Sequence, residues 1–237
     1  MNFILNNTTM KIAILGTGVV GQTIAEKLVS LGHQVMLGSR NPEETLARTS
    51  PDNFGNPPFK DWNAKHSSVK LGTYQDAAAF GEFIINATNG GGTLAALEQA
   101  EKGNLAGKVL LDISNPLDFS KGISPSLFIC YDDSLGEQIQ RAFPETQVVK
   151  SLNTLNAYLM VSPGLLPEQT SIFLNGNDAG AKQQVRTLLN SFGWADDSII
   201  DMGDISTARG TEMLLPIWVR LWGALQTPMF NFKIVKG

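Results

Sequence analysis

From Lys11 onward the chain alternates short, nearly all-apolar runs with stretches whose apolar residues recur at helical spacing. Lys11–Leu15 (KIAIL) predicts a strand buried on both faces, since such a strand in a parallel sheet has no polar side to present. Residues 20–31 predict a helix, with Ile24, Leu28 and Leu31 on one face and Gly32 as its C-terminal stop. The alternation continues with strands at 34–37, 69–71, 82–87, 108–113, 147–151, 171–175 and 199–202. Helices fall at 74–80, 94–102, 179–192 and 207–225. Between Thr49 and Ser68 lie Pro51, Gly55, Pro57 and Pro58, which predict a surface excursion with one short helix near Trp62. Strands alternating with helices make a parallel sheet covered on both faces. The expected architecture is a doubly wound, mostly parallel α/β sheet over 10–205, with a short helical C-terminal appendage over 206–237. Residues 1–9 precede the pattern and lack a basic region followed by an apolar core. They are expected to be an N-terminal extension rather than a secretory signal, with Met10 as an alternative start.

Composition narrows the function classes. Lys and Arg number 18 against 22 Asp and Glu, a net charge of −4, which argues against nucleic acid as the main partner. Cys130 is the single cysteine, so no internal disulfide framework is available. With only His33 and His66 beside it, no metal site is expected. The most apolar stretch, 213–225, carries Arg220 and is too short to cross a bilayer. A cytoplasmic location, without a membrane partner, is the expectation.

Glycine stands at 23 of 237 residues, above the usual level of about 7%, and part of that excess is concentrated in one motif. Gly16-Thr17-Gly18-Val19-Val20-Gly21 is G-x-G-x-x-G, placed directly after a buried strand and at the opening of a helix. Gly16 permits the tight turn, Gly18 lets a pyrophosphate approach the backbone, and Gly21 lets helix and strand pack closely. The helix N-terminus adds free N–H groups and a positive dipole. At the end of the second strand, where an NAD site carries a carboxylate for the ribose 2′-hydroxyl, the sequence reads Leu37-Gly38-Ser39-Arg40. Ser39 can bond a phosphate oxygen and Arg40 can pair with it, so NADP(H) is expected over NAD(H).

Three further polar loops follow strands of the same sheet: Ala87-Thr88-Asn89 with Gly90–Gly92, whose small residues let the ribose and nicotinamide approach closely, Asp112-Ile113-Ser114-Asn115-Pro116, and Lys150-Ser151-Leu152-Asn153-Thr154. Singly, Asn115-Pro116 reads as a turn, Asp112 as a turn acceptor, and Asn153 or Thr154 as a helix N-cap. Together with the glycine turn they read as one site at the carboxyl edge of a parallel sheet.

The segments GTGVVGQTIAEKLVSLGHQVMLGSRNPE, DISNPLDF and VVKSLNT resemble the NADP oxidoreductases named for the deazaflavin coenzyme F420. They also resemble the cytosolic NADPH-binding part of the transmembrane ferric and cupric reductases. The resemblance spans roughly residues 10 to 225, and this chain departs from compact members in its 49–68 excursion and its tail. It implies a Rossmann domain that takes NADPH and exchanges hydride with a flavin-like ring, either deazaflavin F420 or a flavin. It further implies that the glycine turn, Ser39 and Arg40 hold phosphates and that Ala87, Thr88 and Asn89 face the nicotinamide. Asn153 with Thr154 then forms the floor of the active site and supplies the candidate catalytic residues, and Asn115 is a candidate cofactor-binding residue.

Hydride transfer between two rings needs close approach and exclusion of water rather than a nucleophile. An apolar wall for the acceptor is available from Leu155, Tyr158 and Met160 and from Met213, Trp218 and Trp222, although Trp218 and Trp222 at i and i+4 read first as core or dimer packing. The apolar terminal helix also predicts a homodimer. A non-catalytic NADP(H) sensor is the main alternative. An imine or ketoacid reductase would need a longer all-α domain after the last strand, and a methyltransferase would end its second strand in an acid.

Overall fold

A computed structural model describes residues 9–51, 55–122 and 125–237. The expected extension, apart from Thr9, lies outside the described residues, as does the 52–54 part of the surface excursion. Eight strands form one sheet: β1 (Lys11–Leu15), β2 (Gln34–Ser39), β3 (Lys70–Thr73), β4 (Phe83–Asn86), β5 (Val109–Asp112), β6 (Gln147–Lys150), β7 (Ile172–Gly176) and β8 (Ile199–Asp201). Their order across the sheet is β8-β7-β6-β5-β4-β1-β2-β3. The six strands from β3 to β6 in that order are mutually parallel. The chain reverses at β7, which runs antiparallel to β6, and β8 runs parallel to β7.

The alternation within β1 shows why its whole run is apolar. Ile12 and Ile14 face one layer, packed with Ile24, Ala25 and Leu28 of the Val19–Ser30 helix and with the apolar stripe of the Ala179–Phe192 helix. Ala13 and Leu15 face the other, against Ala77, Ala78, Leu97 and Ile139. A strand sandwiched this way has no solvent side, so polar residues within it are expensive and rare.

Connectivity places the switch point between β1 and β4. After β1 the chain builds outward to β2 and β3; after β3 it returns to β4 on the opposite side of β1. Loops leaving β1 and β4 therefore part in opposite directions and open a crevice at the carboxyl edge.

Several local elements differ from the sequence expectation. The Leu135–Ala142 helix and the Pro42–Ala47 helix were not predicted; each is started by a capping side chain, Ser134 and Asn41 respectively. The stretch expected as a helix over 94–102 divides into Thr93–Gln99 and Lys102–Leu105, with Glu101 at φ 68° between them. The terminal helix divides likewise, into Ala208–Met213 and Leu215–Leu225. Pro216 has no N–H to bond the carbonyl four residues earlier, so the ladder is interrupted there. No helix among the described residues is long and apolar enough to cross a membrane.

Candidate active site

The turn after β1 is built by backbone contacts that exclude side chains. Gly16 lies at φ 121°, and its N–H donates to the Gly38 carbonyl at 2.9 Å. A Cβ there would sit 2.5 Å from the Ala87 carbonyl oxygen, so the glycine turn and the β4 loop touch. A Cβ at Gly21 would sit 2.4 Å from the Gly16 carbonyl oxygen, which closes helix onto turn. Gly18 differs. It is the N-cap of Val19–Ser30, it contributes no capping side chain, and a Cβ there would meet nothing within 4 Å. The first N–H groups of that twelve-residue helix lack intrahelical acceptors, and its first turn carries no acid. Val19 and Val20 supply two of those donors. Thr17 contributes its carbonyl to Gln22 Nε2 at 2.8 Å, which holds the turn's outer edge.

At the end of β2, Ser39 is 4% exposed and its hydroxyl has no hydrogen-bond partner among the described residues. A buried hydroxyl left unpaired costs about 1–3 kcal/mol, so the position suits a ligand oxygen. Arg40 beside it is exposed and makes no ion pair among the described residues. Its charge reaches Tyr74: burial pushes that phenol up, and Arg40 partly pulls it back. The next carboxylates along the chain, Glu43 and Glu44, lie in the first turn of Pro42–Ala47, where Asn41 Oδ1 accepts the Glu44 N–H, and Asp76 is engaged by Thr73, the register partner of Ser39. A hydroxyl and a guanidinium in consecutive positions at the end of β2, where no acid ends the strand, fit a phosphate monoester.

The loop after β4 is tied inward. Ala87 N–H donates to the Leu15 carbonyl at 2.9 Å. The Thr88 hydroxyl donates to Asn86 Oδ1 at 2.7 Å and lies 2.9 Å from the Thr93 hydroxyl. Asn89 Oδ1 accepts from Gly91 N–H at 3.0 Å and so caps the single turn Gly90–Gly92. A Cβ on Gly90 would lie 1.9 Å from the Asn115 carbonyl oxygen. That glycine lets two loops touch each other, whereas the sequence had suggested close approach to a ligand. Asn115 and Asn153 are joined reciprocally: Asn115 Nδ2 donates to the Asn153 carbonyl and Asn153 Nδ2 to Asn115 Oδ1, each at 2.9 Å. Thr154 is buried beside them. Leu152 holds φ 60° in the same turn, an unfavourable backbone for a non-glycine residue that the surrounding packing fixes.

The sequence reading missed what lies beneath these loops. In register across four adjacent strands stand Asn86, Asp112, Lys150 and Asn175, all fully buried. Lys150 Nζ donates to Asp112 Oδ2 at 2.5 Å and to the Ser114 carbonyl at 2.7 Å, and it lies 2.8 Å from Glu212 Oε1. Asp112 Oδ1 also accepts from Asn86 Nδ2 at 2.7 Å and from Ser114 Oγ at 2.7 Å. Glu212, from the Ala208–Met213 helix, accepts the Leu135 and Gly136 N–H groups at 2.9 and 3.0 Å. Burial alone would push the Lys150 ammonium down; the Asp112 and Glu212 carboxylates outweigh it and hold it above its ordinary value. Asp112 carried a legible signal as a turn acceptor, and Lys150 stood inside a quoted motif. Nothing in the sequence links either to Glu212.

Two clefts are present, and the first is lined by the glycine turn itself. One, about 80 Å³, runs between Thr17, Gly18 and Val19 and the facing Arg48, Pro58 and Phe59. The other, about 350 Å³, is walled by Leu127, Cys130, Tyr131, Met213 and Pro216, on the side of the terminal helices.

The model of the family described as "NADP oxidoreductase coenzyme F420-dependent" matches residues 11–116. A crystal structure of a candidate F420-dependent NADP reductase from Arthrobacter sp. FB24 is 56% identical, with a TM-score of 0.90, over 96% of this chain and 100% of that one. The F420-dependent NADP reductase of Methanothermobacter marburgensis is 26% identical over 90% of this chain and 92% of its own. Metalloreductase STEAP3 of Rattus norvegicus is 27% identical over 88% of this chain but 38% of its own, so the chain spans about two fifths of the length of the metalloreductases it matches. The chain belongs to the F420-dependent family of NADP oxidoreductases.

Proposed function

We propose that the protein binds NADP(H) at the carboxyl edge of its sheet and exchanges hydride with a flavin-like ring, deazaflavin F420 or a flavin. The observation that carries this reading is the unpartnered, buried Ser39 hydroxyl beside Arg40 at the end of β2. Ser39 and Arg40 hold the 2′-phosphate. The open Gly18 face and the N–H groups of Val19 and Val20 hold the pyrophosphate. Ala87, Thr88 and Asn89 border the nicotinamide, whose ring supplies the hydride chemistry when bound. Asn115, Asn153 and Thr154 keep the floor rigid, and the cleft of Leu127, Tyr131, Met213 and Pro216 offers the acceptor ring an apolar wall. Transfer is favoured when donor and acceptor carbons are held in contact and the two rings together displace water.

The test is anaerobic NADPH oxidation against deazaflavin F420, FMN, riboflavin, a quinone and a ferric chelate. Turnover is expected with at least one flavin-like ring. Tight NADPH binding with no turnover on any acceptor points instead to a sensor.

The same reading includes a homodimer. The Leu215–Leu225 helix buries only Leu215 and Trp218, and it leaves Ile217, Trp222 and Leu225 exposed beside Met213. Contiguous apolar surface of this kind is characteristic of subunit contacts. Light scattering at micromolar concentration is expected to give twice the mass of the chain; a monomeric mass sinks the dimer.

A further inference from the structure

The buried row under the loops contains charges that the binding reading leaves unused. Lys150 contributes one positive charge; Asp112 and Glu212 contribute two negative ones. All three are within the fully enclosed interior, at 0–2% side-chain exposure. The neighbouring Arg209 and Glu137 pair with each other at 2.6 Å and cancel. One net negative charge therefore remains in a region where water does not screen it.

Its place in the fold gives that charge a target. Asp112 ends β5, whose continuation carries Ser114 and Asn115, and Lys150 ends β6, whose continuation carries Asn153 and Thr154. Asp112 reaches the β4 loop through Asn86, which accepts the Thr88 hydroxyl. Every loop assigned to the nicotinamide side thus stands on this cluster. The nicotinamide ring is neutral when reduced, and loss of its hydride, with both electrons, to the acceptor leaves it positively charged.

We infer that the Asp112–Lys150–Glu212 cluster is an electrostatic bias beneath the nicotinamide site that favours the oxidised over the reduced dinucleotide. This rests on the reading that NADP(H) binds with its nicotinamide over these loops. Asp112 and Glu212 touch neither ring nor acceptor; they act through charge. The phosphates are common to both redox forms, so they drop out of the comparison. Stabilising the product of hydride loss makes bound NADPH the stronger hydride donor. It also explains why a site that needs no buried charge for geometry contains an odd number of them.

The experiment measures Kd for NADP+ and for NADPH, under anaerobic conditions, in the wild type and in Glu212→Gln. Removing one negative charge is expected to raise the ratio Kd(NADP+)/Kd(NADPH) by about tenfold. That is about 1.4 kcal/mol, the effect of a unit charge acting over about 12 Å at an effective dielectric near 20. A purely structural role weakens both forms alike and leaves the ratio unchanged. A ratio that moves less than threefold overturns the inference; a rise of threefold or more supports it. Should Glu212→Gln fail to fold, the variant Lys150→Met/Glu212→Gln keeps the net charge of the wild type. Adding Asp112→Asn to it removes one negative charge, and that step must raise the ratio in the same way. If the wild type binds neither dinucleotide, the failure belongs to the proposed function, because no ratio then exists to compare.

Discussion

Lys150→Met is expected to lower folding stability by about 3–5 kcal/mol, the usual result of leaving buried charges without their partner. The side chain is fully enclosed, and its ammonium is the shared partner of Asp112, Glu212 and the Ser114 carbonyl. Removing it leaves two buried carboxylates and the Ser114 carbonyl without their shared donor. Asp112 keeps the Asn86 and Ser114 bonds and Glu212 keeps two helix N–H groups, so the loss is large without being unlimited. Chemical denaturation at pH 7 measures it. A loss below 1 kcal/mol would show that the carboxylates do not depend on the ammonium. Stability of the wild type should also depend on alkaline pH with a definite sign. The folded Lys150 pKa is raised, so its contribution is fully present below the unfolded value of 10.5 and is lost as pH climbs through the higher folded value.

The same substitution tests how far the terminal segment belongs to the site. Glu212 comes from the Ala208–Met213 helix, and its carboxylate joins β6 to the start of the Leu135–Ala142 helix. Asn153 likewise donates to the Thr211 carbonyl at 3.3 Å, and Thr211 lies near Asn175 at the end of β7. A segment expected from sequence as an appendage is in contact with the floor of the candidate site through two consecutive residues.

That coupling marks the boundary of what a single sequence displays. Lys11–Leu15, the glycine turn and the strands through β5 were legible because burial on both faces forces uninterrupted apolar runs, and a turn against a neighbouring backbone forces glycine. At the C-terminal end of β2 the absence of an acid is visible without knowing the fold, whereas the burial of Ser39 is not. Lys150 was not legible. Lysine is almost never fully buried, so its default reading is a solvated end of a strand. Its partners lie 38 and 62 positions away, and only the sheet register and the packing of the last helices bring them together. The Leu135–Ala142 helix escaped for a related reason. Its sequence, LGEQIQRA, offers only Leu135 and Ile139 to the core among its large apolar residues, too few to show a period. Gly90 illustrates the opposite error: its need for a missing side chain was legible, but the surface pressing on it is Asn115, supplied by a loop that sequence does not locate.

Arg40→Glu should weaken NADPH binding by at least about 100-fold while changing NADH by less than about threefold. Two effects add for NADPH. On the proposed function the variant removes a charge-assisted contact to the 2′-phosphate, of the kind worth about 1.5–3 kcal/mol, and places a carboxylate against that phosphate. Together they exceed the 2.8 kcal/mol that corresponds to about 100-fold. NADH offers a hydroxyl at the same place, and a carboxylate there is what NAD sites employ. Ser39 sharpens the result because its hydroxyl is buried and has no protein partner among the described residues. Ser39→Ala relieves that unpaired group, so it should leave the free protein equally or more stable while weakening NADPH by about tenfold. Both variants leave the glycine turn and the Asp112–Lys150–Glu212 cluster untouched, so the pyrophosphate and nicotinamide contacts are common to both dinucleotides. Isothermal titration with the two dinucleotides separates the cases. Equal losses for NADPH and NADH in Arg40→Glu would mean that Arg40 supports the loop rather than the phosphate, and the end of β2 would no longer define cofactor choice.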